Sequence, residues 1–207
     1  MPSSQIACLW NAALGRLPAR MRATLEVINR MQADGVIGKY AIGGAVGATF
    51  YLEPSATLDI DVFVSLPKLS GSSLLTLSPM YEWLAARGHK AEKEYVVIEG
   101  WPVQFLPASD ALDEEALARA VETEVEGIRT WVMTAEHLVA IALRTGRAKD
   151  CAVGKHSARL ADSASQCILE FVERGVIQSD KLDKILKRHG LLAKWGKFGD
   201  RFLEGSE

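Results

Sequence analysis

Cysteine is scarce. Cys8, Cys151 and Cys167 are an odd number with no metal-ligand spacing among 207 residues. That argues against a disulfide framework or a thiolate zinc site, and predicts free thiols in a reducing compartment, the cytoplasm. Long apolar runs are missing as well. No stretch reaches the roughly 20 residues of a transmembrane helix, and the N-terminus lacks a charged region followed by an apolar signal core, so no membrane partner is expected. There is no excess of charge of one sign. A formal net charge of -2 argues against coating nucleic acid through cation density alone, though a local basic face is still allowed. Gly38-Lys39 is followed by Tyr40 and lacks the glycine spacing of a P-loop, and no Gly-x-Gly-x-x-Gly occurs. His89, His137, His156 and His189 are scattered, without a cysteine or carboxylate at ligand spacing, and are expected on the surface or at helix ends. Internal repeats and low-complexity linkers are absent too.

What remains is the composition of a globular protein, with 48% apolar and 24% charged residues. Ser3 or Ser4 can cap a short helix through Leu14. Pro18 opens a second helix with Met21, Leu25, Ile28 and Met31 on one stripe, ended by Asp34-Gly35. Lys39 to Ile42 reads as a strand stopping at Gly43-Gly44. Ala45 to Leu52 reads as a buried helix ended by Glu53-Pro54, and Thr57 to Val64 as a strand. Leu74 to Arg87 is helical in pattern. Glu92 to Ile98 and Trp101 to Leu106 are β-type runs joined by Glu99-Gly100, a hairpin connection that would place Tyr95 opposite Gln104. Asp110 caps a helix through Ala120, and Glu122 to Met133 reads as one half-exposed strand. From Thr134 the pattern is helical: Ala135 to Leu143, Ala148 to Glu173, a helix from Ser179, and a last stripe of Leu191, Trp195, Phe198 and Phe202. The expected architecture is α+β, a mixed sheet with packed helices over residues 1–133 and a helical C-terminal subdomain over 134–207.

The stretch from Tyr40 to Val64 holds the candidate chemistry. Successive strand side chains point to opposite faces, so Asp59 and Asp61 share one face while Leu58, Ile60 and Val62 lie on the other. Two carboxylates this close repel unless a cation lies between them. A glycine pair opening a helix lets backbone N–H groups approach a phosphate without side-chain interference. The bland alternative is a packing glycine followed by a solvated pair of aspartates at a hairpin edge, which the apolar Leu58, Ile60, Val62 and Val64 disfavour.

Gly43-Gly44 followed by Thr57-Leu58-Asp59-Ile60-Asp61-Val62 resembles the signature of the nucleotidyltransferase fold. The later Glu136-to-Asp150 run, with its Arg147-Ala148-Lys149-Asp150 end, looks like the corresponding element of the small AbiEii/AbiGii toxin-like branch. The two matches come in the family's order and span roughly Lys39 to Asp150. The resemblance implies that Asp59 and Asp61 bind Mg²⁺ or Mn²⁺ as the catalytic pair. It also implies that Gly43, Gly44, Thr57, Arg147 and Lys149 contact a nucleoside triphosphate. The implied reaction moves a nucleotide onto a hydroxyl of an RNA, a protein or a small molecule, and a cognate antitoxin is an implied partner.

Two departures stand against a fully active site. The position of the family's third carboxylate is Gln104, whose oxygen can coordinate a metal but cannot accept a proton as a base. Ala142 stands where the branch often has a lysine. A catalytically impaired binding or partner protein of the same fold is therefore the second reading. Finally, Lys181, Lys184, Lys187 and Arg188, then Lys194, Lys197 and Arg201, recur at three- and four-residue steps. They form either a solvated face or a backbone grip for an RNA acceptor.

Overall fold

A computed structural model describes residues 17–52, 59–67, 76–145 and 167–202. The chain divides into two compact units, Met1–Met133 and Thr134–Glu207. The expected helix before Leu14, Thr57, Leu74, Gly146 to Asp150 and most of Ala148 to Glu173 lie outside the described residues.

The first unit is built on a seven-stranded mixed sheet. Helix α1 (Leu17–Ala33) precedes β1 (Tyr40–Ile42), α2 (Gly44–Ala48), β2 (Ile60–Val64) and α3 (Ser78–Ala85). Strands β3 (Lys90–Glu92), β4 (Tyr95–Ile98) and β5 (Trp101–Pro107) follow, then α4 (Ala111–Arg119), β6 (Val121–Val125) and β7 (Ile128–Val132). The spatial order is β3-β4-β5-β2-β1-β7-β6. β2 runs antiparallel to β1 and parallel to β5, so it is an interior strand with neighbours on both sides. Asp61 therefore lies on an interior strand, while Asp59 immediately precedes it.

The expected alternation is seen only at Ile60, Asp61 and Val62: Leu58 lies outside the described residues, Asp59 precedes the strand, and Phe63, on the Asp61 face, is buried as well. Ile60, Val62 and Val64 are fully buried, together with their β5 register partners Val103 and Phe105 and with Val96 and Ile98 of β4. Met21, Leu25, Ile28 and Met31 of α1 and Met80 and Leu84 of α3 join the same core. Polar contacts fix α1 on the sheet. Thr24 Oγ1 donates to the carbonyls of Arg20 (2.9 Å) and Ile98 (3.0 Å). The buried Tyr40 hydroxyl donates to Asn29 Oδ1 at 2.7 Å and lies 3.1 Å from Thr130 Oγ1, while Asn29 Nδ2 donates to the Arg129 carbonyl at 2.8 Å. Burial pushes the Tyr40 phenol up to about 12.

Three expectations need correction. The segment Ala45 to Leu52 is helical only as far as Ala48. Thr49 Oγ1 bonds back to the Val46 carbonyl at 2.7 Å, and Phe50 and Tyr51 continue in i→i+3 turns, a competition that side-chain hydroxyls offer to helix. The run Glu122 to Met133 is two strands, reversed at Glu126-Gly127, where both residues have positive φ (51° and 79°), as a two-residue type I′ connection requires. Glu92 to Ile98 is likewise broken at Lys93-Glu94, with Lys93 at φ 58°. The Glu99-Gly100 hairpin is present as expected, with φ of 52° and 84°.

The second unit is helical in its described residues. Helix α5 (Ala135–Thr145) begins at Thr134, whose hydroxyl receives the His137 N–H at 3.4 Å. His137, expected on the surface or at a helix end, lies in that first turn and is buried. Residues 167–173 are helical, and α6 (Ser179–Arg188) and α7 (Leu192–Phe202) follow, separated by Gly190 at φ 68°. Leu182, Ile185, Leu186, Leu191 and Phe198 are buried, and Trp195 stacks on Phe198 with centroids 5.6 Å apart. Among the described residues, no helix is long and apolar enough to cross a membrane.

Candidate functional site

β1 ends at Ile42, and the chain turns through Gly43 into the five-residue α2. Neither glycine can be replaced without collision. A Cβ on Gly43 would lie 2.7 Å from the ring of Phe63, the β2 residue paired with Ala41. Gly44 has φ +55°, and a Cβ there would overlap the Asp61 carboxylate. The Gly43 N–H donates to the Asp61 carbonyl at 2.9 Å, so the turn is stitched to β2 at the residue whose carboxylate it touches.

Asp61 is half-buried within β2. Burial first, and the charge of Asp59 second, push its carboxyl up to about 6. Withdrawal from water disfavours the charged form, and a like charge two residues away adds to it. Asp59 immediately precedes the first β2 residue.

On the other side of Asp61 lies Gln104, its register partner on the parallel strand β5. Paired residues of neighbouring strands project from the same face of a sheet. One strand further, β4 and β5 pair Val96 with Val103, and continuing that antiparallel register brings Tyr95 beside Gln104. Asp61, Gln104 and Tyr95 are all half-buried, in contrast to the fully buried Ile60, Val103 and Val96 of the opposite face. Burial, the neighbouring Asp59 and the charges of Glu94 and Asp61 raise the Tyr95 phenol above its ordinary value.

The structure thus brings together five of the residues singled out from the sequence: Gly43, Gly44, Asp59, Asp61 and Gln104. Thr57, Arg147 and Lys149 lie outside the described residues. Ala142 and Arg144 sit in α5 of the second unit, both half-buried. The closeness of Tyr95 to Asp59 is the feature that reading the sequence missed. Its signal was the Glu99-Gly100 hairpin, which already places Tyr95 beside Gln104. Lys181, Lys184, Lys187, Arg188, Lys194 and Lys197 are exposed on α6 and α7, and Lys194 Nζ donates to the Arg144 carbonyl at 2.9 Å. A separate shallow cleft of about 210 Å³ is lined by Gln32, Lys39, Tyr40, Leu117 and Trp131, among others, and shares no residue with the aspartate cluster.

Among the described residues, no group of three or more histidines, cysteines or carboxylates is arranged to hold a metal. The donor set at the aspartates is of another kind: two carboxylates and an amide oxygen on adjacent strands, all hard oxygen ligands of the type Mg²⁺ and Mn²⁺ take. The donor chemistry of these side chains fits a divalent cation, which would also offset the burial and like charge that disfavour an ionised Asp61. No protein-family model matches the chain, and no curated protein matches it.

Proposed function

We propose that the chain is a divalent-cation-dependent nucleotidyltransferase of the small toxin-like kind, with a nucleotidyltransferase-like fold in its first unit. The observation that carries this reading is the contact between Gly44 and Asp61: a left-handed glycine with no room for a side chain is packed on a half-buried carboxylate beside a second one. A surface pair of aspartates needs no such glycine. A site that brings backbone close to both an anion and its counter-cation does.

In this reading Asp59 and Asp61 hold the cation, with the Gln104 amide oxygen beside them. The cation, when bound, neutralises charge on the phosphates of a nucleoside triphosphate. Gly43 and Gly44 leave the turn before α2 bare of side chains, so the triphosphate can lie against the backbone there. The helix contributes little dipole because it has only five residues. The reaction joins an acceptor hydroxyl oxygen to the α-phosphorus, breaks the bond from that phosphorus to the bridging oxygen of the β-phosphate, and releases pyrophosphate and the hydroxyl proton. Gln104 cannot receive that proton. The acceptor classes are an RNA, a protein or a small hydroxyl compound, and an antitoxin is the partner this branch implies.

Incubating the full chain with each labelled triphosphate, Mg²⁺ or Mn²⁺, total RNA and total protein tests the proposal. Labelled acceptor is expected with the parent and not with Asp59→Asn. Absence of label, with Asp59→Asn binding nucleotide as the parent does, removes the enzymatic reading. The observation favouring a second reading is that an amide stands beside Asp61 where a carboxylate would complete the site. A chain that binds nucleotide or a protein partner without transfer is then expected, and calorimetric titration with and without Mg²⁺ separates the two.

A further inference from the structure

We infer that the acceptor binds on the β5–β4 side of Asp61, with Tyr95 as the residue it lies against; the inference rests on the nucleotidyltransferase reading above. Two different groups flank Asp61. Towards β1 is the glycine turn: the Gly43 N–H bonds the Asp61 carbonyl, and Gly44 is packed on the Asp61 carboxylate. Towards β5 is Gln104, the register partner of Asp61, and beyond it, in the continued register of β4 with β5, is Tyr95. Across the sheet the order is therefore glycine turn, Asp61, Gln104, Tyr95.

Displacement at phosphorus gives these two flanks different tasks. The attacking and leaving oxygens lie roughly in line, on opposite sides of the phosphorus. With the β- and γ-phosphates against the bare backbone at Gly43 and Gly44, the α-phosphorus falls by Asp61 and pyrophosphate leaves towards β1. The attacking hydroxyl then comes from the opposite flank, over Gln104 and Tyr95. Its oxygen bonds to the α-phosphorus as the bond to the bridging oxygen of the β-phosphate breaks. Its proton passes to water, because Gln104 cannot take it.

The sheet is shaped to receive an acceptor there. Neighbouring strands are about 5 Å apart, so the backbones at Asp61 and Tyr95 are about 10 Å apart with Gln104 between them. Strand side chains stand roughly perpendicular to their sheet. The amide is then a floor and the longer tyrosine a wall, at a separation that admits one ring or one extended chain. A tyrosine offers such a ligand a rigid apolar ring and a polar tip at small conformational cost. The same register continues from Tyr95 to Glu92 on β3, the strand that ends the sheet on this side, and all three β3 residues are exposed. The acceptor thus enters from the sheet edge, while the turn into α2 occupies the other flank.

The test reads the two substrates of the full chain separately. Calorimetric titration with a non-hydrolysable triphosphate analogue and Mn²⁺ reports on one flank. Initial rates of labelling at increasing total RNA or total protein, whichever the parent labels, report on the other. Tyr95→Ala and Tyr95→Leu are expected to bind the analogue as the parent does, with kcat/KM for the acceptor lowered about tenfold, the order of one aromatic contact. Tyr95→Phe, which keeps the ring, is expected to stay near the parent. Leucine keeps an apolar side chain on β4 should alanine unfold the strand, and thermal midpoints in chelator check both variants. Unchanged transfer in both, or analogue binding that weakens together with transfer, overturns the inference and leaves the proposed function standing. So does a lowered midpoint or a failure to fold in both, because Tyr95 is then a structural residue. A parent that labels neither RNA nor protein overturns the inference; if it also binds the analogue no better than Asp59→Asn does, the nucleotidyltransferase reading falls with it.

Discussion

Replacing Asp61 with asparagine keeps the shape of the side chain and removes a charge that burial and Asp59 disfavour. The carboxyl titrates at about 6 in the folded protein, against an ordinary 3.8. At 1.36 kcal/mol for each pH unit, holding it ionised costs the folded state about 3 kcal/mol. The sign follows from proton binding. Between pH 3.8 and about 6 the folded state binds the Asp61 proton more tightly than the unfolded chain does. The stabilisation is therefore complete below the lower value and is lost as pH rises through the upper one. Asparagine does not titrate. The stability of Asp61→Asn relative to the parent should therefore start near zero at about pH 4 and climb to about 2–3 kcal/mol by pH 7. Urea melts in chelator at a series of pH values measure this. Tryptophan fluorescence is a suitable probe because Trp10, Trp83, Trp101 and Trp131 belong to the first unit and only Trp195 to the second. Added Mg²⁺ should narrow the gap by stabilising the parent alone. Parallel pH profiles for the two proteins, or a parent that gains stability over Asp61→Asn as pH rises, would refute the account of Asp61 given above.

The same substitution should have opposite signs at two glycines. Gly44→Ala puts a side chain at φ +55° and onto the Asp61 carboxylate, for a loss of about 2–5 kcal/mol. Gly196→Ala, inside α7 with nothing within 4 Å of the new Cβ, should gain about 1 kcal/mol of helix stability. Denaturant melts of both variants at pH 7 check the pair. Tyr40→Phe takes a hydroxyl away from Asn29 and Thr130 in a buried setting and should cost about 1–3 kcal/mol. Amide exchange at β1 and β7 should speed up accordingly, and unchanged exchange would contradict a role in holding α1 to the sheet.

Local pattern made much of this legible. The face assignment of β2, the α1 stripe and the Asp110 cap, whose Oδ1 accepts the Leu112 and Asp113 N–H groups at 2.9 and 3.0 Å, all follow from periodicity or from a side chain bonding its own neighbourhood. Gly43, Gly44, Asp59 and Asp61 come from one short stretch, so a local reading could group them. Where several local states fit one pattern, the reading failed. The apolar run after Gly44 suits a helix and a buried turn equally, and the Thr49 back-bond decided for the turn. Glu-Gly turns the chain at both 99–100 and 126–127, but the alternation of Glu122, Glu124 and Glu126 continues the strand pattern into the second turn and hides it. Lys93 offers no turn chemistry at all; its left-handed backbone follows from the pairing of β3 with β4. The closeness of Tyr95 to Asp59 depends on β4, β5 and β2 being neighbours, which is set by a crossover between distant segments and not by any local spacing.

The pairing of Gln104 with Asp61 also bears on how this site could have changed over time. Glutamine and glutamate differ by an amide nitrogen in place of an oxygen, and the β2–β5 register needs no adjustment for either. A third negative charge there would meet a carboxyl that already resists ionisation, so without a cation it would weaken the fold, and with one it would add a ligand and a base. Stability alone therefore favours the amide. Under the proposed function, turnover would favour the acid, and residue 104 would be a position at which a lineage could move between a catalyst and a quiet binder without disturbing the strands that carry it.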